Sequence, residues 1–223
     1  MIETTSGNRV EIAKLILVPS LITLGVTILR VVGELQNWSP ILFGKGAGGG
    51  GAIVGIAWLA PIFGIYFALK LSGTGAGPAK LGKTFALWGL GLLLLVSGGY
   101  LLFSAQFASL AKTVAGFSLM AATVVVQLWG WPSLTKVLVA YGYAARIPVL
   151  IVVFLAFRGS WGTHYDALPP GYESKGFASD FIGFGVLPQM ILWIAFTVLA
   201  GTLFGAVAAA IATRRKPAAQ PAA

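Results

Sequence analysis

Cysteine is absent from the 223-residue sequence, histidine occurs once, and only 6 residues are acidic. The missing thiols exclude disulfides, thiolate metal sites and cysteine nucleophiles. A lone histidine, His164, excludes any multi-histidine metal or haem site within the chain. No Asp or Glu lies between Glu34 and Asp166, so the middle of the chain cannot supply a carboxylate pair or a magnesium ligand. Charged residues of both signs make up 9% of the sequence, against about a quarter in soluble domains.

What is present is apolar. Hydrophobic residues reach 57% and the mean hydropathy is +0.89, which makes lipid the expected solvent. Six apolar runs can be read: Ile12 to Val32, Gly51 to Leu71, Thr84 to Phe103, Val114 to Trp131, Leu134 to Phe157 and Phe181 to Thr213. Most are long enough to cross a core of roughly 30 Å as helices. The pattern predicts an all-α polytopic transmembrane bundle of about six helices, a single domain over residues 1–213. A basic, then Pro/Ala-rich tail over 214–223 is expected to be disordered. The fourth run is the shortest and is separated from the fifth only by Trp131-Pro132-Ser133, so it is the candidate for a half-span. The segment before Ile12 lacks the basic start of a secretory signal, so the first span is expected to remain as an anchor.

The formal charge of +9 raises nucleic acid as a partner, but the basic residues are scattered between apolar runs and do not form a stripe. Topology accounts for them better. With six spans, Arg9, Lys14, Lys70, Lys80, Lys83, Lys136, Arg214, Arg215 and Lys216 fall on one side. The other side takes Arg30, Lys45, Lys112, Arg158 and Lys175, together with most of the acids. The positive-inside rule then places both termini in the cytoplasm, in a cytoplasmic (inner) membrane of bacterial type.

Pro19, Pro61, Pro148 and Pro188 lie inside four of the runs, each removing a backbone donor. Kinked packing helices explain them, and a transporter-type inverted repeat is the alternative. Small residues recur every fourth position at Ala60, Gly64, Ala68, Ser72 and at Thr197, Gly201, Gly205, Ala209, Thr213. Such faces let helices approach closely, within one bundle or at a homo-oligomer seam. The Gly46 to Gly51 run reads as a hinge or spacer.

Gly77-Pro78-Ala79-Lys80-Leu81-Gly82-Lys83-Thr84 matches the phosphate-binding pattern G-x-x-x-x-G-K-[ST], but it sits between two apolar spans with no acidic partner for magnesium. Nucleotide binding is rejected, and neither cofactor nor metal is expected. Asn37-Trp38-Ser39 is a sequon followed directly by Pro40 and is set aside.

Two polar features remain. Arg158-Gly159-Ser160-Trp161-Gly162-Thr163-His164-Tyr165-Asp166 follows the fifth span, and His164 with Asp166 can form a proton-accepting pair beside Arg158, held by the Trp161 and Tyr165 rings. Against this, an interfacial loop needs aromatics and hydrogen-bonding groups for structure alone. Arg146 lies near the middle of the fifth run, beside Tyr143, where a cation costs roughly 2.5 kcal/mol at the least and faces a bundle interior or cavity. Its partners within the chain are neutral: Gln127, Gln189, tyrosine hydroxyls or carbonyls freed by prolines. Outside the chain they are an anionic ligand, a lipid headgroup or a partner's carboxylate.

The candidate binding residues are therefore Arg146, Tyr143, Arg158, His164 and Asp166, with no catalytic set. Membrane lipids, other membrane subunits or further copies of the chain are the expected partners, and nucleic acid is not. Three functions follow in order: a non-catalytic subunit or scaffold of a membrane assembly, a small carrier or lipid- or anion-binding permease using Arg146, and an enzyme on a lipid-linked substrate using His164 and Asp166.

Overall fold

Helix is the only regular structure among the residues that the computed structural model describes, 11–104 and 109–214. The tail expected to be disordered lies, from residue 215 on, outside the described residues. The described residues form six long helices, α1 (Ile12–Leu35), α2 (Leu59–Gly73), α3 (Leu81–Ser104), α4 (Leu110–Gly130), α5 (Pro132–Gly159) and α6 (Phe177–Arg214). All except α2 are long and apolar enough to cross a membrane, so the chain is a multi-pass membrane protein.

Contacts at the helix ends fix an up-and-down order. At one end Thr84, opening α3, donates to the Gly130 carbonyl that closes α4 (3.2 Å), and the Trp131 indole donates to Ala76 beyond α2 (2.9 Å). At the other end Glu34 of α1 meets His164, just past α5. α1, α3 and α5 thus finish where α6 begins. Between the ends the core is built on Tyr141, whose hydroxyl pairs with Thr23 of α1 (2.7 Å) and whose ring makes T-shaped contacts with Phe63 and Phe67. Leu17, Val18, Leu93, Val96 and other large apolar side chains point outward, as lipid-facing helices require.

The two small-residue faces pack on each other. A side chain at Gly64 would collide with the Gly201 backbone, and one at Gly205 would come within 2.8 Å of both the Ala68 Cβ and the Gly64 carbonyl. The stripe of α6 therefore faces protein, inside one chain.

Three expectations are corrected. The short element is the second run, not the fourth: α4 is a full helix of 21 residues, whereas α2 starts only at Leu59. The residues before α2 use their backbone donors elsewhere, Ile53 on Ile41 (3.1 Å) and Val54 on Leu42 (3.0 Å), and so cannot join the helix. Pro61 falls in the first turn of α2, where a missing donor costs nothing, and is not an internal break. The glycine run, read as a spacer, is packed against Arg30, as described below. Pro19 and Pro148 do lie inside α1 and α5. Pro188 opens the second of two widened, π-type stretches of α6, Phe181–Val186 and Pro188–Leu192.

Candidate functional site

The site begins with the spacing of Arg30 and Glu34, which places them one turn apart on the same face of α1 near its end. The Arg30 Nε donates to Glu34 Oε1 (2.7 Å), and both side chains are buried, Glu34 fully. The rest of the Arg30 fork organises the connection between α1 and α2. Its terminal nitrogens donate to the carbonyls of Val54 (2.9 Å), Gly44 (3.1 Å) and Gly49 (3.2 Å). A guanidinium carries five donors, and here four bonds leave Arg30 nearly saturated. Gly49 has φ +76°, and an added Cβ would lie 3.0 Å from the His164 ring and 3.5 Å from the Arg30 guanidinium. Only glycine meets both conditions.

From the far side of the cavity the loop after α5 brings in His164. Its main-chain N–H donates to Glu34 Oε2 (2.9 Å) and its Nδ1 lies 2.5 Å from Glu34 Oε1. A carboxylate at Nδ1 fixes the tautomer with the proton on that nitrogen, leaving Nε2 as the free acceptor. Burial pushes the imidazole below its ordinary pKa, Arg30 acts the same way, and the Glu34 hydrogen bond opposes them. The Tyr165 ring lies against His164, centroids 3.8 Å apart, and burial moves its hydroxyl pKa upward.

Arg146 completes the wall. Counting at 1.5 Å per residue, it lies about 20 Å along α5 from the Gly159 end, and it is only 6% exposed. Among the described residues its guanidinium has one hydrogen-bond acceptor, the neutral Gln189 amide oxygen at 3.3 Å. The Trp193 ring covers it at 4.4 Å from the centroid. Gln189 lies within the second widened stretch of α6 and Trp193 directly follows it, a departure from regular helix that often accompanies a functional site.

These groups surround one cavity of about 510 Å³ between α1, α5, α6 and the two connections. Its polar wall holds Arg30, His164, Arg146 and Gln189, and apolar side chains such as Trp58, Val149, Val153 and Leu192 form much of the rest. Glu34 balances Arg30, so among the described residues the Arg146 charge has no counter-ion in the wall. The arrangement places a buried cation and an imidazole in the wall of one largely apolar chamber.

Family models, curated proteins and solved structures give no match to the chain. Its function has to be read from this cavity.

Of the residues singled out from sequence, Arg146 and His164 line the cavity together. Tyr143 does not join them: it is 39% exposed and reaches the Met190 carbonyl (3.4 Å). Arg158 sits over the Phe177 ring at 5.2 Å. Asp166 braces its own loop, accepting from the main chain of Gly162 (2.9 Å) and Thr163 (2.8 Å) and from the Thr163 hydroxyl (2.7 Å). The carboxylate bonded to His164 is thus Glu34, not Asp166. Gln189, not Gln127, is the amide beside Arg146, since the Gln127 amide is turned to the Leu87 carbonyl (2.9 Å). Sequence reading missed Arg30 and Glu34, assigned to topology, although their four-residue spacing inside the first apolar helix was a usable signal.

Proposed function

We propose that the chain is a membrane-embedded carrier or permease for an amphipathic anion, with Arg146 holding the anionic head. The observation that carries this reading is a guanidinium buried near the middle of α5, bonded to one neutral amide, in the wall of a cavity of about 510 Å³. An arginine at such depth is costly unless a partner or a water-filled path serves it, and the described residues of this wall include no carboxylate. The volume suits one ligand of modest size, and the apolar lining suits the body of an amphiphile. A scaffold role, the first expectation from sequence, leaves the cavity unexplained. The basic-residue partition supports both termini in the cytoplasm of an inner membrane, with Arg30 and His164 of the cavity nearer the opposite face.

The test is calorimetric titration of the purified protein in phosphatidylcholine nanodiscs with octanesulfonate and, separately, with inorganic sulfate, empty discs serving as the reference. One saturable octanesulfonate site is expected. Arg146→Lys should keep much of the affinity, because a point charge remains, and Arg146→Gln should lose on the order of tenfold or more. Equal binding by Arg146→Gln would overturn the reading, and sulfate binding as tightly as octanesulfonate would replace the amphiphile by a small free anion.

A further inference from the structure

Resting on that reading, we propose that the Glu34–His164 pair is a proton site of the same cavity, so that the anion is bound together with one proton. The pair's geometry carries the argument. Glu34 is fully buried, receives Arg30 on Oε1, and engages His164 through both its main-chain N–H and its Nδ1. Three donors therefore converge on one carboxylate, and the imidazole is held with Nε2 as its only available base. That nitrogen lies against Gly49, a cavity residue without a side chain to cover it. His164, the single histidine of the chain, and Arg146 thus stand in the wall of one chamber.

The charged and titratable groups facing His164 can be named for each element. α1 contributes Arg30 and Glu34, and the loop after α5 contributes Asp166 and the Tyr165 ring, while Arg146 of α5 lines the same cavity and acts on Tyr165. Among the described cavity residues, the connection before α2 and the α6 segment add only neutral groups. Without an anion, Arg30 and Glu34 cancel, Arg146 is positive, and burial disfavours a second cation on His164 by more than the Glu34 hydrogen bond favours it. An anion seated on Arg146 removes that excess charge, and the imidazole then gains a proton more readily. By reciprocity, protonation must strengthen anion binding by the same factor. The proton comes from the medium and rests on the pair as imidazolium against carboxylate, with no bond to the ligand made or broken.

Octanesulfonate does not titrate near neutrality, so any proton taken up belongs to the protein. Calorimetry in two buffers of different ionisation heat counts it: affinity should rise on the order of tenfold from about pH 7.5 to about pH 5.5, with an uptake that averages about half a proton per anion over that window. His164→Gln should still bind, with uptake near zero and a flat pH profile. Because His164 is the only histidine, its imidazole NMR signal in a protein without a histidine tag reports the site directly. Its titration midpoint should move upward when octanesulfonate is present, a readout that needs no variant. Saturable, Arg146-dependent binding with no proton uptake and an unmoved midpoint would overturn this inference and leave the carrier reading standing. Binding that ignores Arg146, or no binding at all, would remove both.

Discussion

Replacing Glu34 by leucine removes the acceptor for three donors at once: Arg30 Nε at 2.7 Å, the His164 main-chain N–H at 2.9 Å and His164 Nδ1 at 2.5 Å. The guanidinium, 7% exposed, then remains without its counter-charge. Breaking a buried ion pair from one side costs roughly 3–5 kcal/mol, and an orphaned buried N–H adds about 1–3 kcal/mol. Glu34→Leu should therefore destabilise the protein by at least about 3 kcal/mol, a large share of the 5–15 kcal/mol typical of a folded domain. Arg30→Met should cost a similar amount, since it strands the carboxylate and releases three carbonyls of the glycine-rich connection. The double variant has no unpaired charge to bury. Its cost should fall short of the sum of the singles by about 2 kcal/mol or more, the coupling that a double-mutant cycle isolates. Equilibrium unfolding in mixed detergent micelles, following helical circular dichroism, measures all four proteins. Singles that add to the double within about 0.5 kcal/mol would show that the pair is not a coupled buried unit, and the cavity electrostatics argued from it would fall.

Other consequences are independent. Gly205→Leu must displace the Ala68 Cβ and the Gly64 carbonyl, and overpacking of about 1–3 kcal/mol should lower folded yield and melting temperature in detergent, whereas an unchanged variant would place that face toward lipid. His164 is held below its ordinary pKa by burial, so the unfolded chain binds more protons than the folded one in the window below about pH 6.5. The stability it contributes is complete above that value and is lost as pH falls through the folded pKa. Melting temperatures in the absence of anion should drop over that window in the wild type and more weakly in His164→Gln, and a parallel drop in both would assign the effect to other groups. Reporter fusions after Arg214 and at Glu173 should give opposite compartment readouts, and matching ones would show that α6 does not cross and defeat the six-crossing order.

The bundle was legible because lipid imposes one rule on every span: about 20 apolar residues with their backbone satisfied internally. Five of the six runs became helices whose ends differ from the reading by a few residues. The exception, α2, shows where hydropathy stops being informative. Gly51 to Trp58 is apolar enough to extend the span, but its donors and carbonyls are taken by Ile41, Leu42 and Arg30, and such partners leave no trace in local composition. Arg146 was legible because burial of a cation is costly anywhere in an apolar helix. Arg30 was not, because it lies near a helix end, where a topological charge and a buried ion pair look alike. His164 was found, but its partner is 130 residues away, and the nearer Asp166 drew the assignment that belonged to Glu34.

The most direct test of the central claim is to locate a bound anion. Crystals of the protein grown with an alkylsulfonate brominated at its far end would show the sulfonate by its density and the bromine by its anomalous signal. The account predicts the sulfonate within hydrogen-bond reach of Arg146, the bromine among Trp58, Val149, Val153 and Leu192, and neither density in Arg146→Gln. A sulfonate lodged elsewhere on the bundle, with the Arg146 guanidinium still on Gln189 alone, would contradict it.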